Sequence, residues 1–138
     1  MIQKFHQIEV NTKGQKLYNF TSNISRWIKS EKLNNGILTI NILHTSASLI
    51  VQENADSNVL KDMINFFDKL VPMNNSYIHS TEGKDDMPAH IKSALTNSHL
   101  SLSVKNKALI LGTWQGLYLF EHRLEKHTRT LNLHFIGE

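Results

Sequence analysis

The chain contains eight histidines among 138 residues, and several of them stand beside hydroxyl or acidic residues. Four come from separate segments of the sequence: His44, His79, His90 and His122. Neutral imidazoles that converge around an open coordination position can form a site in which Zn²⁺ activates water. The same rings can instead transfer protons as general acid and base. The spacing contains no HxH or HExxH pattern, so both kinds of site stay open.

Carboxylates accompany two of these histidines. Asp86 and His90 stand four residues apart, so on a helix they share one face. There a carboxylate can hydrogen-bond one imidazole nitrogen and leave the other for a metal or a proton. A simpler interpretation is that Asp85 and Asp86 complement the N-terminus of that helix. Glu121, directly before His122, is a second candidate catalytic acid.

Groups that bind anions follow two of the histidines. Thr45 and Ser46 come after His44, and Arg123 follows His122. Hydroxyl and guanidinium groups bind phosphate, so the sequence predicts a phosphate cradle of Thr45, Ser46 and Arg123. Strand alternation puts His122 on one face and its two charged neighbours on the other. We therefore expect His122 to enter a pocket and Glu121 to pair with Arg123 at a subunit boundary, unless the strand end is exposed and the ion pair incidental.

The elements that must position these residues follow an α+β pattern. Alternation predicts strands over 5–10, 37–43, 100–104, 107–112, 117–122 and 129–136. Helical spacing predicts a helix through Leu17, Phe20, Ile24, Trp27 and Ile28, a second over 56–70 capped by Asp56 or Asn54, and a short third one beginning near Pro88. Mainly antiparallel sheets in a sandwich-like domain, packed with two or three helices, are the expected fold. A symmetric oligomer would cover the sheet edges.

Composition limits the classes of function. The length fits one domain over residues 1–138, and the absence of cysteine excludes disulfides, zinc thiolates and thiol catalysis. The net charge of +3 comes from scattered lysines, which favours an ordinary surface over a nucleic-acid footprint. There is no bilayer-length apolar run and no signal-peptide pattern, so we expect a cytoplasmic protein without a membrane partner. Phosphate-loop, dinucleotide and nucleophile-elbow motifs are also absent.

Longer motifs carry a resemblance to a known family. They are His44-Thr-Ser-Ala-Ser-Leu, Glu53-Asn-Ala-Asp56, Asp62-Met…Phe66-Phe…Val71-Pro72, Glu82-Gly-Lys-Asp85-Asp86-Met-Pro-Ala-His90-Ile-Lys92 and Gly112-Thr-Trp-Gln-Gly…Glu121-His122-Arg123. In these motifs and their order the chain resembles the YjbQ family over nearly its whole length. Phe120 stands where that family usually has Gly, and Lys84 replaces a usual small residue. A bulky ring at 120 would narrow a pocket or fill a gap between subunits.

The resemblance implies a homotrimer and the label secondary thiamine-phosphate synthase. That reaction joins a pyrimidine diphosphate to a thiazole phosphate. It also implies a divalent metal such as Zn²⁺, with ligand or acid–base roles for His44, His79, His90 and His122. Asp86 would then orient His90, and Arg123 would contact the anion. The hypothesis is therefore a small metal-dependent enzyme acting on a phosphorylated small molecule. The alternative is a non-catalytic trimer that binds a ligand or a metal.

Overall fold

A computed structural model describes residues 1–138 as eight strands and three helices. The strands are β1 (Ile2–Lys13), β2 (Lys16–Asn19), β3 (Gly36–Ile42), β4 (Ala47–Glu53), β5 (His99–Lys105), β6 (Ala108–Leu109), β7 (Gln115–Glu121) and β8 (Lys126–Gly137). The helices are α1 (Thr21–Ser30), α2 (Ser57–Leu70) and α3 (Asp86–Leu95). The predicted α+β class is confirmed. None of the helices combines the length and the apolar composition that crossing a bilayer requires.

The strands form two antiparallel sheets. The larger one has the order β1-β8-β3-β5-β6, and the smaller one has the order β2-β7-β4. In the larger sheet β1 pairs with β8 along its whole length, from Ile2 opposite Gly137 to Lys13 opposite Lys126. Gly36 and Gly137 face each other at the end of this sheet, where a Cβ on either would meet backbone atoms closer than 3 Å. The crowded end therefore requires glycine on both strands.

The main core lies between the inner faces of the two sheets and is closed by α1. It is formed by buried aliphatic and aromatic side chains, among them Phe20, Ile24, Ile28, Leu38, Ile40, Leu49, Leu117, Leu119, Leu131, Leu133 and Phe135. A smaller apolar cluster on the other face of β7 contains Tyr118 and Phe120 and packs against Phe67 of α2. Both faces of β7 are thus covered. This burial explains why its sequence reads as a nearly continuous apolar run.

The structure differs from the predicted elements in several places, and the strand predicted over 107–112 covers only Ala108–Leu109. Leu17 belongs to β2 and not to α1, because its segment pairs with β7 before the helix begins at Thr21. The hydroxyl-rich segment after His44 continues as β4, which pairs with β7 from Ala47 to Glu53. Helix α3 begins at Asp86, so Asp85 is the residue before it, but no side chain caps the helix. The predicted cap of α2 is confirmed: Asp56 Oδ1 accepts a hydrogen bond from the Asn58 N–H at 2.9 Å.

Candidate functional site

Arg123 joins the end of β7 to the start of α3. Its Nε donates to Asp85 Oδ2 at 2.9 Å, and its Nη1 donates to Asp86 Oδ1 at 2.6 Å. Its Nη2 donates to the carbonyl oxygen of Glu82 at 2.8 Å. All three nitrogens of the guanidinium are therefore engaged within the chain. The Glu121–Arg123 side-chain pair expected from the sequence does not form, because Arg123 turns toward the two aspartates.

His79 and His90 approach the remaining oxygen of Asp86. His79 Nε2 lies 2.6 Å from Asp86 Oδ2, and His90 Nε2 lies 3.2 Å from the same atom. Asp86 is almost fully buried, whereas the side chains of His79 and His90 are 39% and 31% exposed. One ligand atom from each residue lies within 4.8 Å of the other two. The group therefore has the donors and the access to solvent that a metal site needs.

A backbone carbonyl fixes the orientation of His90. His90 Nδ1 lies 2.9 Å from the carbonyl oxygen of Thr45. A carbonyl only accepts hydrogen bonds, so Nδ1 carries a proton, and Nε2, beside Asp86 Oδ2, is the nitrogen that would face a metal ion. This is the usual arrangement of a metal-binding histidine, in which a carbonyl orients the ring from behind. The expectation that Asp86 contacts His90 from four residues away is confirmed.

The charges around Arg123 stabilise ionised carboxylates. Burial alone would raise the pKa of Asp86, but the hydrogen bond from His79 and the charge of Arg123 bring it below its usual value. Burial acts in the same way on Asp85, and the Leu124 N–H and Arg123 lower its pKa. Burial would lower the pKa of Arg123, yet its contacts with Asp85 raise it. Both aspartates are therefore anionic at neutral pH.

His44 and the hydroxyls after it lie beside this cluster and not in it. His44 Nε2 accepts a hydrogen bond from the Thr130 N–H at 2.8 Å, so this nitrogen is occupied by the backbone. Burial and then the charge of Arg129 lower the pKa of His44. Ser46 is buried, and its Oγ accepts from Arg129 Nη2 at 3.0 Å. Thr45 is exposed. The predicted cradle of Thr45, Ser46 and Arg123 does not assemble in this chain, since Ser46 and Arg123 have other partners.

His122 is packed in the interior of the protein and lines none of its cavities, so it does not enter the pocket that the sequence predicted. It is 1% exposed, its ring centroid is 4.3 Å from that of Phe120, and its Nε2 is 2.8 Å from Ser48 Oγ. Nδ1 is buried without a hydrogen-bond partner. Burial lowers the pKa of His122 to about 3, and the charges of Lys92 and Arg129 act in the same direction. The four predicted histidines therefore do not meet at one point: His79 and His90 share the cluster, and His44 and His122 do not.

Glu121 forms a buried ion pair with a residue that the sequence interpretation did not select. Arg129 donates to it from Nε at 2.7 Å and from Nη2 at 2.6 Å, and Thr12 Oγ1 donates at 2.5 Å. Glu121 is fully buried, and it also accepts hydrogen bonds from the backbone of His122 and Arg123. The predicted catalytic acid thus has its oxygens occupied by structural contacts.

Comparisons with known proteins agree with the motifs. The family model described as UPF0047 protein YjbQ-like matches residues 6–138. The chain belongs to the YjbQ family. UPF0047 protein sll1880 of Synechocystis is 48% identical over 94% of this chain and 88% of its own length. UPF0047 protein YjbQ of Salmonella typhimurium is 48% identical over 75% of each chain.

Several solved structures have the same fold. A YjbQ/UPF0047 family protein of Clostridium acetobutylicum is 30% identical, with a TM-score of 0.84 over 94% of this chain and 99% of that one. The hypothetical protein APE1520 of Aeropyrum pernix has a TM-score of 0.88 over 98% and 99% of the two chains. At 24% identity this second likeness concerns the fold alone.

Phe120, whose bulky ring was singled out in the sequence, packs inside the chain. It is 2% exposed, and its ring meets Phe67 of α2 edge-on at 5.6 Å between centroids. It therefore fills space between β7 and α2.

Two residues near the site, Arg129 and Ser93, were not among those predicted from the sequence. Arg129 stands two residues before Leu131 on a strand whose alternate side chains face inward, so its position alone indicated burial. Ser93 follows His90 by three residues on α3 and therefore lies on the same side of the helix. Both signals were present in the spacing.

Proposed function

We propose that the chain binds a divalent metal ion, foremost Zn²⁺, through His79, Asp86 and His90 and acts on a phosphorylated small molecule. The observation that supports this is the approach of three ligand atoms to within 4.8 Å of one another. Two imidazoles and one carboxylate are a catalytic zinc set that leaves a position open for water or substrate. Imidazole also disfavours Mg²⁺ and Ca²⁺, which prefer oxygen ligands.

The chain's own residues prepare the three donors. Arg123 holds Asp86 through Oδ1, so that Oδ2 is presented to the two histidines. The Thr45 carbonyl holds His90 with Nε2 toward the same point. A bound ion of this kind polarises a phosphoryl oxygen and stabilises its charge. The guanidinium of Arg123 is already occupied by Asp85 and Asp86. We therefore assign the phosphate contact to the bound metal ion and to the exposed hydroxyl of Thr45.

The specific reaction we propose is thiamine-phosphate synthesis, which the resemblance to the YjbQ family supports. In that reaction the bond between the pyrimidine methylene carbon and the diphosphate oxygen breaks, and diphosphate leaves with the electron pair. The thiazole nitrogen supplies the pair for the new carbon–nitrogen bond.

Metal analysis tests the proposed centre. We expect the purified protein to bind about one zinc ion per chain, as a single three-ligand cluster requires. His79→Ala and His90→Ala should lose the ion and keep the circular dichroism spectrum of the parent. His134→Ala is the matched control, because His134 lies on the larger sheet and contacts Gln3 and Phe5 instead. Zinc that stays bound in both cluster variants would contradict the assignment.

Turnover tests the enzymatic part separately. Formation of thiamine phosphate from the pyrimidine diphosphate and the thiazole phosphate should require the metal and disappear in His79→Ala. If metal binds stoichiometrically and no phosphorylated substrate is turned over, the non-catalytic metal-binding alternative is supported. Activity that persists without metal would contradict the proposal.

We also propose that the protein is a cytoplasmic homotrimer, as the resemblance implies. An exposed apolar stripe on α2 supports association, since Phe66 and Leu70 are 60% and 55% exposed and Val59 and Met63 lie on the same side of the helix. Light scattering should give three times the chain mass, and Phe66→Glu should dissociate the assembly. A monomer at micromolar concentration would contradict this part.

A further inference from the structure

A cavity of about 280 Å³ lies between α3 and the connection from β3 to β4. Helix α3 contributes His90, Ser93 and Ala94 to its lining, and the connection contributes His44 and Thr45. The volume lies just below the usual range for small-molecule sites, so it fits one ring and not a larger ligand. His90 belongs to this lining and to the cluster with His79 and Asp86, so the cavity adjoins the proposed metal centre.

Ser93 is a polar group in this lining without a partner. Its Oγ is inaccessible to solvent and makes no hydrogen bond within the chain. Buried hydroxyls in proteins are normally paired, because an unpaired one costs free energy. An orphaned hydroxyl on a residue that lines a cavity can gain a partner from a ligand once the side chain turns its Oγ toward the cavity.

His44 provides a second hydrogen-bonding group at the same cavity. Because its Nε2 accepts the Thr130 N–H, the proton of the neutral ring is on Nδ1. Nδ1 has no acceptor within the chain, so it remains available as a donor. Ser93 and His44 together therefore favour a ligand that carries a hydrogen-bond acceptor.

The lining contains no lysine, arginine, aspartate or glutamate. An ionised ligand group would therefore find no opposite charge among the residues that line this open cavity. Alanines and two imidazole rings complete the wall and suit an aromatic ligand.

We propose that this cavity binds a small uncharged aromatic ring with a hydrogen-bond acceptor through Ser93 Oγ and His44 Nδ1. The choice of a pyrimidine or a thiazole as this ring, and the contact of a charged substituent with the ion beyond His90, rest on the proposed function. The ring site itself does not require metal.

Nuclear magnetic resonance titration of the protein tests the ring site at neutral pH. Methylpyrimidine or methylthiazole should cause saturable shifts in the backbone amides around Ser93. Benzene, which lacks an acceptor, and inorganic phosphate, which is charged, should bind at least tenfold more weakly in the metal-free protein.

Variants separate the ring site from the metal centre. Ser93→Ala should weaken ring binding roughly three- to tenfold, the worth of one hydrogen bond. Ala94→Leu should abolish it by filling the cavity, and because Ala94 is exposed on a helix this variant should still fold and bind zinc. Ser101→Ala, on an exposed position of β5, is the matched control.

His79→Ala should lose zinc and retain ring binding, so the two proposals fail independently. The proposal is overturned if neither ring gives saturable shifts, or if Ser93→Ala and Ala94→Leu bind the rings as the parent does. It is also overturned if phosphate occupies the cavity of the metal-free protein more tightly than either ring.

Discussion

Arg123 donates to Asp86 Oδ1 at 2.6 Å and so fixes the carboxylate whose other oxygen faces His79 and His90. The same guanidinium holds Asp85 at 2.9 Å, and the Leu124 N–H donates to that carboxylate at 2.9 Å. The end of β7 and the first turn of α3 are thereby joined into one rigid unit. Arg123 acts on the site through Asp86, as a positioning residue.

Replacing Arg123 by lysine should weaken metal binding without unfolding the protein. Lysine keeps the positive charge, but it lacks the planar fork that contacts Asp85 and Asp86 together. Loss of such a supporting contact typically lowers metal affinity about 10- to 100-fold. Competition with a chromogenic zinc chelator measures this. Arg26→Lys, at an exposed position of α1, is the matched control and should bind zinc as the parent does.

The metal-free protein should lose stability in acid through Asp85 and Asp86. Their pKa values are lower in the folded chain than the ordinary value of 3.8, so the folded state binds protons less readily than the unfolded state. Their contribution is therefore complete well above pH 3.8 and is lost as the pH falls through 3.8 toward the folded values. Urea unfolding from pH 6 to pH 3 measures it. Asp85→Asn should reduce the dependence of the free energy of unfolding on pH, whereas Asp62→Asn, at an exposed position of α2, should not.

His122 should make the free energy of unfolding depend on pH below 6.5, a higher pH range than that of Asp85 and Asp86. Its pKa falls from 6.5 to about 3 on folding, so between these values the unfolded chain takes up a proton that the folded chain refuses. The free energy of unfolding should decrease by about 1.4 kcal/mol for each pH unit below 6.5 from this group. His44 adds a change in the same direction, since its pKa is also lowered. His122→Leu should reduce the slope between pH 6.5 and pH 5, and an unchanged slope would contradict the assignment.

Glu121 should prove structural when it is neutralised. Glu121→Gln leaves the buried guanidinium of Arg129 without its counter-charge, which should cost about 3–5 kcal/mol of stability. Chemical denaturation measures this loss, with the exposed Glu125→Gln as control. Zinc affinity should stay within about twofold of the parent, because Glu121 does not belong to the metal cluster. A stable variant without activity would instead support the catalytic role predicted from the sequence.

Ser93→Ala should leave the protein as stable as the parent or make it slightly more stable. The variant removes a buried hydroxyl that has no partner in the chain, and truncation by one oxygen leaves little empty volume. Thermal unfolding measures this. The opposite result, a loss above about 1 kcal/mol, would mean that the hydroxyl is paired within the chain.

Much of the fold follows from local patterns in the sequence. The apolar stripe of α2, its cap at Asp56 and the alternation of β8 each depend on neighbours a few residues away, and all three are present. The spacing of Asp86 and His90 belongs to the same class, because one helical turn brings the two side chains together. His79 reaches Asp86 through the connection before α3, a path that periodicity does not define.

The pairing partners of charged residues could not be derived in the same way. Arg123 and Arg129 both lie within eight residues of Glu121 along the chain, and only the turn between β7 and β8 decides which one meets it. Likewise, the spacing of Leu17 is compatible with a helix, but its segment forms strand β2 because it pairs with the edge of β7. Tertiary contacts outweigh local preference at these positions.

The strand that comes last in the chain lies in the interior of the larger sheet, flanked by the first strand and by β3. Neither neighbour can complete its hydrogen bonds until residues 126–137 have been synthesised. The edges of β1 and β3 that face β8 therefore stay unpaired until β8 docks between them, and only this step completes the larger sheet. Folding that joins such distant segments is slow, because the entropy of closing a long loop is lost before the stabilising contacts form.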